Sequence, residues 1–152
     1  MNLKYIREEY ELSQNDIASI LGVTRSTYSV WEAEINIIPL NRLIDFCNHF
    51  NISLDYALGL TNEKTYQNIQ KEIDYNTHRE RLKSIRKTNK YTQDKIAKIL
   101  NTDNGVISRY ENGQTLILTS FLKAYAKEFN ISADYIMGRI DEKVKLKELI
   151  SN

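Results

Sequence analysis

Cysteine, proline and long apolar runs are scarce in this chain of 152 residues, which contains one Cys and one Pro. A single cysteine, Cys47, excludes an intrachain disulfide and a cysteine cluster that would hold a metal. No apolar run approaches the roughly 18 residues that a membrane span needs, and no signal peptide is visible after Met1. These absences predict a cytosolic protein with no membrane partner.

The residue patterns of common enzymes are missing as well. The two histidines, His49 and His78, stand in no metal-ligand spacing. Neither a Gly-rich phosphate loop nor a Ser-His-Asp order is present. We therefore expect no enzymatic activity, no bound metal and no cofactor.

Charge is distributed unevenly along a chain whose net charge is only +1. Residues 1–61 contain 4 Lys and Arg against 8 Asp and Glu, whereas residues 82–141 contain 10 against 6. The first part is therefore acidic, with a net charge of −4, and the second is basic, with a net charge of +4. Only the second part is electrostatically suited to a polyanion such as nucleic acid.

The stretch Tyr91 to Gly113, YTQDKIAKILNTDNGVISRYENG, predicts two short helices joined by a tight turn. Thr92 is placed to cap the first helix and Asp103 to cap the second, and Gly113 is placed to end it. Apolar residues lie on one face of each helix, so the two helices can pack together. The second helix then exposes amide, hydroxyl and guanidinium groups, which suit the reading of base edges in a major groove.

The same pattern occurs 79 residues earlier, in Leu12 to Glu34, LSQNDIASILGVTRSTYSVWEAE. Ser13 and Thr24 are the equivalent caps. Pairing each residue with the one 79 positions later over 3–59 requires no gap, and about a third of the pairs are identical. The identities fall mainly at core and cap positions, which indicates two copies of one fold whose exposed faces differ.

Each copy resembles the lambda-repressor-like helix-turn-helix family, also called the Cro/repressor or Xre type. The first copy matches through SQNDIASILGVTRSTYSVWE, Pro39 and LIDFCNHFNISLDYALG; the second matches through TQDKIAKILNTDNGVISRYENG and FLKAYAKEFNISADYIMG. The resemblance covers about residues 3–61 and 82–139. It implies five-helix DNA-binding domains and a bacterial or phage transcriptional regulator of the cytosol or nucleoid.

We therefore predict an all-α protein of two tandem five-helix domains joined by a partly helical linker. The segments are residues 1–61, the first domain; 62–75, the linker; 76–141, the second domain; and 142–152, a C-terminal helical tail. The linker is predicted to be helical because Tyr66, Ile69 and Ile73 recur at helical spacing.

The family's functional positions carry over one at a time. The exposed helix face and the resemblance together predict base reading by residues on the second helix of each pair: Asn104, Gly105, Ser108 and Arg109 in the second copy, and Arg25, Ser26, Thr27 and Ser29 in the first. Phosphate contacts are predicted for Gln14 and Gln93, for Asn36 and Thr115 in the following loops, and for Lys90 and Lys95. A solvated helix face explains the two lysines equally well.

Two further pairs resemble the family's ion pair between its first and third helices: Arg7 with Glu32, and Arg86 with Glu111. Such a pair is expected to fix the orientation of the recognition helix on its domain.

One departure from the family concerns the residue two positions after each glutamate, Glu32 and Glu111. It is the expected glycine, Gly113, in the second copy but Glu34 in the first, where it places negative charge near an approaching phosphate.

These observations favour a sequence-specific transcriptional regulator, a bacterial or phage repressor, that binds double-stranded DNA mainly through its second domain. The alternative is a protein-interaction module, antitoxin-like or a phage-encoded modulator, in which the first domain binds a protein. Because the two reading faces differ, one chain is not expected to read a palindrome. A homodimer through the first domain or the linker would restore symmetry. The operator, the regulated genes and any inducer are left open.

Overall fold

The computed structural model describes residues 1–146 of the chain. Apart from one isolated bridge between Ile131 and Lys145, α-helices are the regular secondary structure of these residues. In chain order they are α1 (Leu3–Glu9), α2 (Gln14–Leu21), α3 (Arg25–Glu32), α4 (Leu40–Phe50), α5 (Leu54–Ala57), α6 (Tyr75–Thr88), α7 (Gln93–Ile99), α8 (Asn104–Glu111), α9 (Thr119–Phe129) and α10 (Ala133–Ile136). The predicted all-α class with two sets of five helices is confirmed.

These helices form two compact units, Met1–Gln67 and a second one that begins at Asn68. The first contains α1 to α5 and the second contains α6 to α10. No helix among residues 1–146 is long and apolar enough to cross a membrane.

Side-chain caps determine where the helices of each helix-turn-helix pair begin. Every cap predicted from the sequence accepts a backbone N–H from three residues along the chain: Ser13, Thr24, Thr92 and Asp103. Ser13 forms a complete capping box, because Asp16 Oδ2 in turn accepts the Ser13 N–H at 2.8 Å. Each cap pairs one of the N–H groups that the first turn of a helix leaves unpaired, so the turns fall at defined positions.

Buried apolar side chains hold the two helices of each pair together. In the first unit these are Ile17, Ala18 and Leu21 of α2 with Tyr28 and Trp31 of α3. Their counterparts in the second unit are Ile96, Ala97, Leu100, Ile107 and Tyr110. Full burial of a side chain the size of Leu or Ile contributes about 1.5–3 kcal/mol. Since the apolar residues of α3 and α8 are directed inward, their polar residues are left on the outside of each unit.

The predicted helical linker is wrong. Residues 62–74 contain turns and bends without a helix, and α6 begins only at Tyr75. Hydrogen bonds to folded segments hold this stretch instead: the Tyr66 hydroxyl donates to Asp55 Oδ2 at 2.8 Å. A short helix is marginal in water without tertiary support, so these contacts outweigh the helical spacing of the apolar residues.

The predicted C-terminal helical tail also differs from the structure over its described part. Residues 142–146 are not helical, and Lys145 pairs with Ile131 in the isolated bridge. The Ser132 N–H donates to the carbonyl oxygen of Val144 at 2.9 Å. The backbone here finds its partners next to α10 rather than within a helix. The rest of the predicted tail, 147–152, lies outside the described residues.

A buried histidine lies in the core of the second unit. His78 is 3% exposed, and its Nδ1 is 3.3 Å from the carbonyl oxygen of Ile136. Burial disfavours the charged imidazolium and lowers the pKa of His78 to about 4, against an ordinary value of 6.5. Between these two pH values the ring is neutral in the folded protein, whereas the unfolded chain binds a proton on it.

We expect the free energy of unfolding of the second unit to fall as the pH drops from 6.5 to 4, because only the unfolded chain protonates His78 in this interval. The loss amounts to about 3 kcal/mol at the acid end. Urea denaturation at a series of pH values measures it. His78→Leu keeps the apolar volume without a titrating group, so its stability should depend less on pH. Parallel losses in both proteins would contradict this assignment.

Candidate nucleic-acid interface

Helix α8 directs a polar face to the outside of the second unit. Asn104 and Arg109 are exposed, and Gly105 and Ser108 lie half-buried beside them. The 8 residues of α8 give a helix about 12 Å long, comparable with the width of a major groove. The structure thus brings together, on one short helix, all four residues predicted to read bases in the second copy.

The Arg109 side chain runs back along α8 toward its first turn. A Cβ built on Gly105 would lie 3.6 Å from Arg109 Nη1 and 3.0 Å from Asp103 Oδ1. This direction is the one that helical side chains prefer, toward the N-terminus. Gly105 therefore leaves the space in which the guanidinium lies, beside the first turn of the helix.

Asp94 orients the first residue of this reading face and was not singled out by the sequence. Asn104 Nδ2 donates to Asp94 Oδ1 at 2.7 Å, a bond between α8 and the first turn of α7. At the other end of α8, Asn112 Nδ2 donates to Ser108 Oγ at 3.2 Å. These two hydrogen bonds restrict the rotamers of Asn104 and Ser108 before any ligand arrives. No local sequence signal links Asp94 to Asn104, because the bond joins two helices.

A buried ion pair fixes α8 to α6. The Arg86 guanidinium donates from Nε to Glu111 Oε2 and from Nη2 to Glu111 Oε1, both at 2.8 Å. Its Nη1 donates to the carbonyl oxygen of Tyr91, also at 2.8 Å. The hydrogen bond with Glu111 is the main reason that the pKa of Arg86 is raised above its ordinary value. Both predicted partners therefore meet, and the pair holds α8 at its C-terminal end.

The first unit contains the same pair. Arg7 donates to Glu32 from Nε at 2.9 Å and from Nη2 at 2.8 Å. Burial alone would raise the pKa of Glu32, but hydrogen bonds, led by the one from Arg7, hold it below its ordinary value. The ion pair of Arg7 and Glu32 therefore persists at neutral pH.

The glutamines predicted to contact phosphate lie next to these ion pairs. Gln14 Nε2 is 3.4 Å from Glu32 Oε1, and Gln93 Nε2 is 3.4 Å from Glu111 Oε1. Each glutamine occupies the first position of its helix, as expected. The long hydrogen bonds orient the side-chain amides toward the recognition helices.

The other residues predicted to contact phosphate in the second unit lie on three different elements. Lys90 follows α6 with a φ of +61°, and Thr115 is exposed in the loop after α8. Lys95, on α7, places its Nζ 3.8 Å from the centre of the Tyr91 ring, a cation–π contact. That contact restrains the ammonium group on the outside of α7.

The reading face of the first unit is less well developed. Arg25 and Ser26 are exposed, but Thr27 and Ser29 are half-buried. The Thr27 hydroxyl lies 3.0 Å from Thr24 Oγ1, so it takes part in the helix cap. The hydroxyl group is therefore less available for a base than the sequence pattern suggested.

The loop after α3 offers acidic and apolar surface where the family contacts phosphate. Glu34 adopts a left-handed φ of +59°, and its Oε1 is 3.1 Å from the α-amino group of Met1. On either side of the exposed Asn36, Ile35 is 73% exposed and Ile37 is 50% exposed. These properties oppose a phosphate contact by Asn36.

No group of three or more His, Cys, Asp and Glu side chains within residues 1–146 is arranged to hold a metal ion.

Family models match both halves of the chain. A model described as "Helix-turn-helix" matches residues 3–56, and one described as "Helix-turn-helix domain" matches residues 80–142. Each match falls within one of the two compact units. The tandem helix-turn-helix organisation predicted from the sequence is therefore confirmed.

Three known proteins are similar to parts of this chain, and two of them are named as HTH-type transcriptional regulators. The uncharacterized HTH-type transcriptional regulator YqaE of Bacillus subtilis is 37% identical over 73 residues, which is 47% of this chain and 63% of the relative. The uncharacterized HTH-type transcriptional regulator YobD of the same organism is 33% identical over 61 residues, 40% of this chain and 54% of the relative. Antitoxin PezA of Streptococcus pneumoniae is 37% identical over 57 residues, 38% of this chain and 36% of the relative. The chain thus covers less than two thirds of each relative, and no solved structure matches it.

Proposed function

We propose that this chain, which carries two helix-turn-helix domains in tandem, is a sequence-specific transcriptional regulator that binds double-stranded DNA mainly through its second domain. One observation carries the proposal: α8 exposes Asn104 and Arg109, with the half-buried Ser108 beside them, and the buried pair of Arg86 and Glu111 holds that helix in place. The similarity to two proteins named as transcriptional regulators supports it.

The chemistry of this face suits the major groove. A guanidinium makes a bidentate contact with O6 and N7 of guanine, and a side-chain amide does the same with N6 and N7 of adenine. Arg109 and Asn104 supply these two groups on adjacent turns of α8. Gln93 and nearby basic residues would seat the domain on the phosphates, which fix its register on the duplex.

Electrostatics distinguish the two domains. Residues 82–141 carry a net charge of +4 and residues 1–61 a net charge of −4, so counterion release favours the second domain. Since the two reading faces also differ, we propose that a single chain reads an asymmetric site. A homodimer would read a symmetric one.

Selection from a randomised duplex library, with the full chain and at two salt concentrations, tests the proposal. A regulator should enrich one motif, and its affinity for that motif should fall with salt by about 0.9 in log K per log salt for each neutralised phosphate. Failure to enrich any motif, with weak binding that salt abolishes, would overturn the proposal.

A second candidate function has one specific observation in its favour. The loop after α3 joins an acidic side chain, Glu34, to two exposed isoleucines, Ile35 and Ile37, at the place where the family meets the DNA backbone. Exposed apolar side chains rimmed by polar residues are typical of protein-binding surfaces. We propose as the alternative that the first domain binds a protein, as would suit an antitoxin-like module; the similarity to Antitoxin PezA is consistent with it.

The variant Glu34→Gly separates these roles for the first domain. Glycine adopts the φ of +59° without strain, so the first unit should gain about 1 kcal/mol of stability. If this domain lies on DNA, loss of the negative charge should also tighten duplex binding about threefold. Urea denaturation followed by Trp31 fluorescence reports the stability, and titration of a labelled duplex reports the affinity.

Glu8→Gln is the matched control, because it removes one negative charge from an exposed position on α1. We expect it to change neither quantity appreciably. A more stable Glu34→Gly protein with unchanged DNA affinity would assign the first domain to protein binding rather than to DNA.

A further inference from the structure

Helix α6 is longer than its counterpart in the first unit. It contains 14 residues, whereas α1 contains 7, and the pairing of the two copies begins at Leu3 and Leu82. The residues from Tyr75 to Arg81 therefore form an extension that precedes the part of α6 paired with α1. This extension lies against the loop that follows the recognition helix α8.

Arg79 makes the closest approach to that loop. A Cβ built on Gly113 would lie 3.1 Å from Arg79 Cδ and 3.2 Å from Arg79 Nη1, so the guanidinium occupies space that any other residue at position 113 would need. Gly113 itself has a left-handed φ of +74°. The glycine therefore serves two purposes: it ends α8 and it admits the Arg79 side chain.

The guanidinium borders a small cavity beside the loop. The cavity has a volume of about 230 Å³, and Arg79, Gly113, Gln114 and Thr115 are among the residues that line it. The backbone N–H groups of Gln114 and Thr115 already donate to the carbonyl oxygen of Arg109, at 3.0 and 3.5 Å. The side chains of Gln114 and Thr115 are exposed. Together with the Arg79 guanidinium they supply hydrogen-bond donors beside the cavity.

The electrostatics of this loop are the reverse of those in the first unit. There the equivalent position is Glu34, whose carboxylate pairs with the α-amino group of Met1. In the second unit the position is Gly113, and the ion pairs found within residues 1–146 do not include Arg79. A cation beside hydroxyl and amide donors, and without a carboxylate partner in the described part of the chain, suits a phosphate group.

We propose that Arg79, together with Gln114 and Thr115, anchors a phosphate of the DNA backbone at the C-terminal end of the recognition helix. The inference rests on the proposed function, because it assigns a new contact to the same DNA complex. A phosphate held here would limit sliding of α8 along the groove and would keep Arg109 at one base pair. The anchor is not expected in the first unit, because the position equivalent to Gly113 there is Glu34, whose negative charge would repel a phosphate.

The test compares Arg79→Ala and Arg79→Lys with the wild-type full chain, on the duplex selected from the library and on a duplex of mixed random sequence. Arg79→Ala should bind both duplexes roughly three- to tenfold more weakly, by the same factor on each. The slope of log affinity against log salt should become less steep by about 0.9, which marks one lost phosphate contact. Arg79→Lys keeps the positive charge and should restore most of the slope.

Lys127→Ala is the control for charge alone. Lys127 is exposed near the end of α9, about 12 Å along that helix from its first residue. The variant Lys127→Ala should reduce the affinity for DNA much less than Arg79→Ala does. If Arg79→Ala and Lys127→Ala lose the same affinity for a duplex that the wild type binds tightly, the proposed phosphate contact of Arg79 is wrong and the proposed function stands. If the wild type binds no duplex, both fail together.

Discussion

Arg86→Met is expected to destabilise the second unit by about 3–5 kcal/mol, because it leaves the Glu111 carboxylate buried without its partner. Glu111 is 8% exposed, and after the change its remaining hydrogen bond would be the 3.4 Å contact from Gln93. A small domain has a total stability of about 5–15 kcal/mol. The single substitution should therefore remove a large part of the stability of this unit.

Urea denaturation with two signals measures this effect separately from the first unit. Trp31 is the only tryptophan in the chain and lies in the first unit, whereas far-UV circular dichroism reports the helices of both. In Arg86→Met, the dichroism should show an earlier transition that the Trp31 fluorescence does not follow. The matched variant Arg7→Met breaks the same bidentate pair in the first unit and should shift the Trp31 transition instead.

The double variant Arg86→Met, Glu111→Leu shows whether the cost comes from the stranded charge. Well-packed apolar residues often replace a buried ion pair without loss, so the double variant should regain most of the stability. It should still bind DNA more weakly, since the hydrogen bonds that orient α8 are gone. If Arg86→Met alone costs less than about 1 kcal/mol, as expected of a solvated pair, the carboxylate is not buried in solution.

The sequence predicted the parts of this molecule that local chemistry determines. The caps at Thr92 and Asp103 follow from side chains that can accept an N–H only three residues along. The pairing of Arg86 with Glu111 followed from a family resemblance, because the partners are far apart in the chain. The helix caps and the ion pair both occur at equivalent positions in the two copies. The repeat therefore supported both predictions.

The linker was mispredicted because helical spacing is a weaker signal than tertiary hydrogen bonds. Tyr66 and Ile73 stand at helical spacing, yet Tyr66 bonds to Asp55, and the Gln70 N–H donates to the carbonyl oxygen of Arg139 at 2.7 Å. Neither partner is near in sequence. Helical spacing indicates which residues would share a helix face. It does not indicate which groups elsewhere in the fold form hydrogen bonds with this segment.

Arg79 and Asp94 carry no local sequence signal for a related reason. Arg79 precedes the first residue of the aligned repeat, so no comparison with the first copy drew attention to it. Its position beside Gly113 depends on the length of α6 and on how α6 packs against the loop after α8. Asp94 lies in the first turn of α7, ten residues before Asn104, and only the fold shows the hydrogen bond between them.

Arg109→Ala is expected to reduce affinity for the selected duplex by about 1–3 kcal/mol, roughly 5- to 150-fold, and to relax preference at one base pair. The reason is geometric, since the guanidinium lies over the first turn of α8, where base edges are read. Titration of the selected duplex, and of duplexes changed at each position, measures both effects. Binding to mixed random sequence should weaken far less.

Two matched variants decide between base reading and a phosphate contact. Arg109→Lys keeps the charge but not the planar pair of donors, so it should lose discrimination almost as fully as Arg109→Ala. Arg25→Ala removes an exposed arginine from the first turn of α3 in the acidic unit, and its effect should be much smaller. If Arg109→Lys instead restores wild-type binding, and Arg109→Ala weakens all sequences equally, Arg109 contacts a phosphate. Asn104, held by Asp94 at the start of α8, would then be the residue through which this helix distinguishes bases.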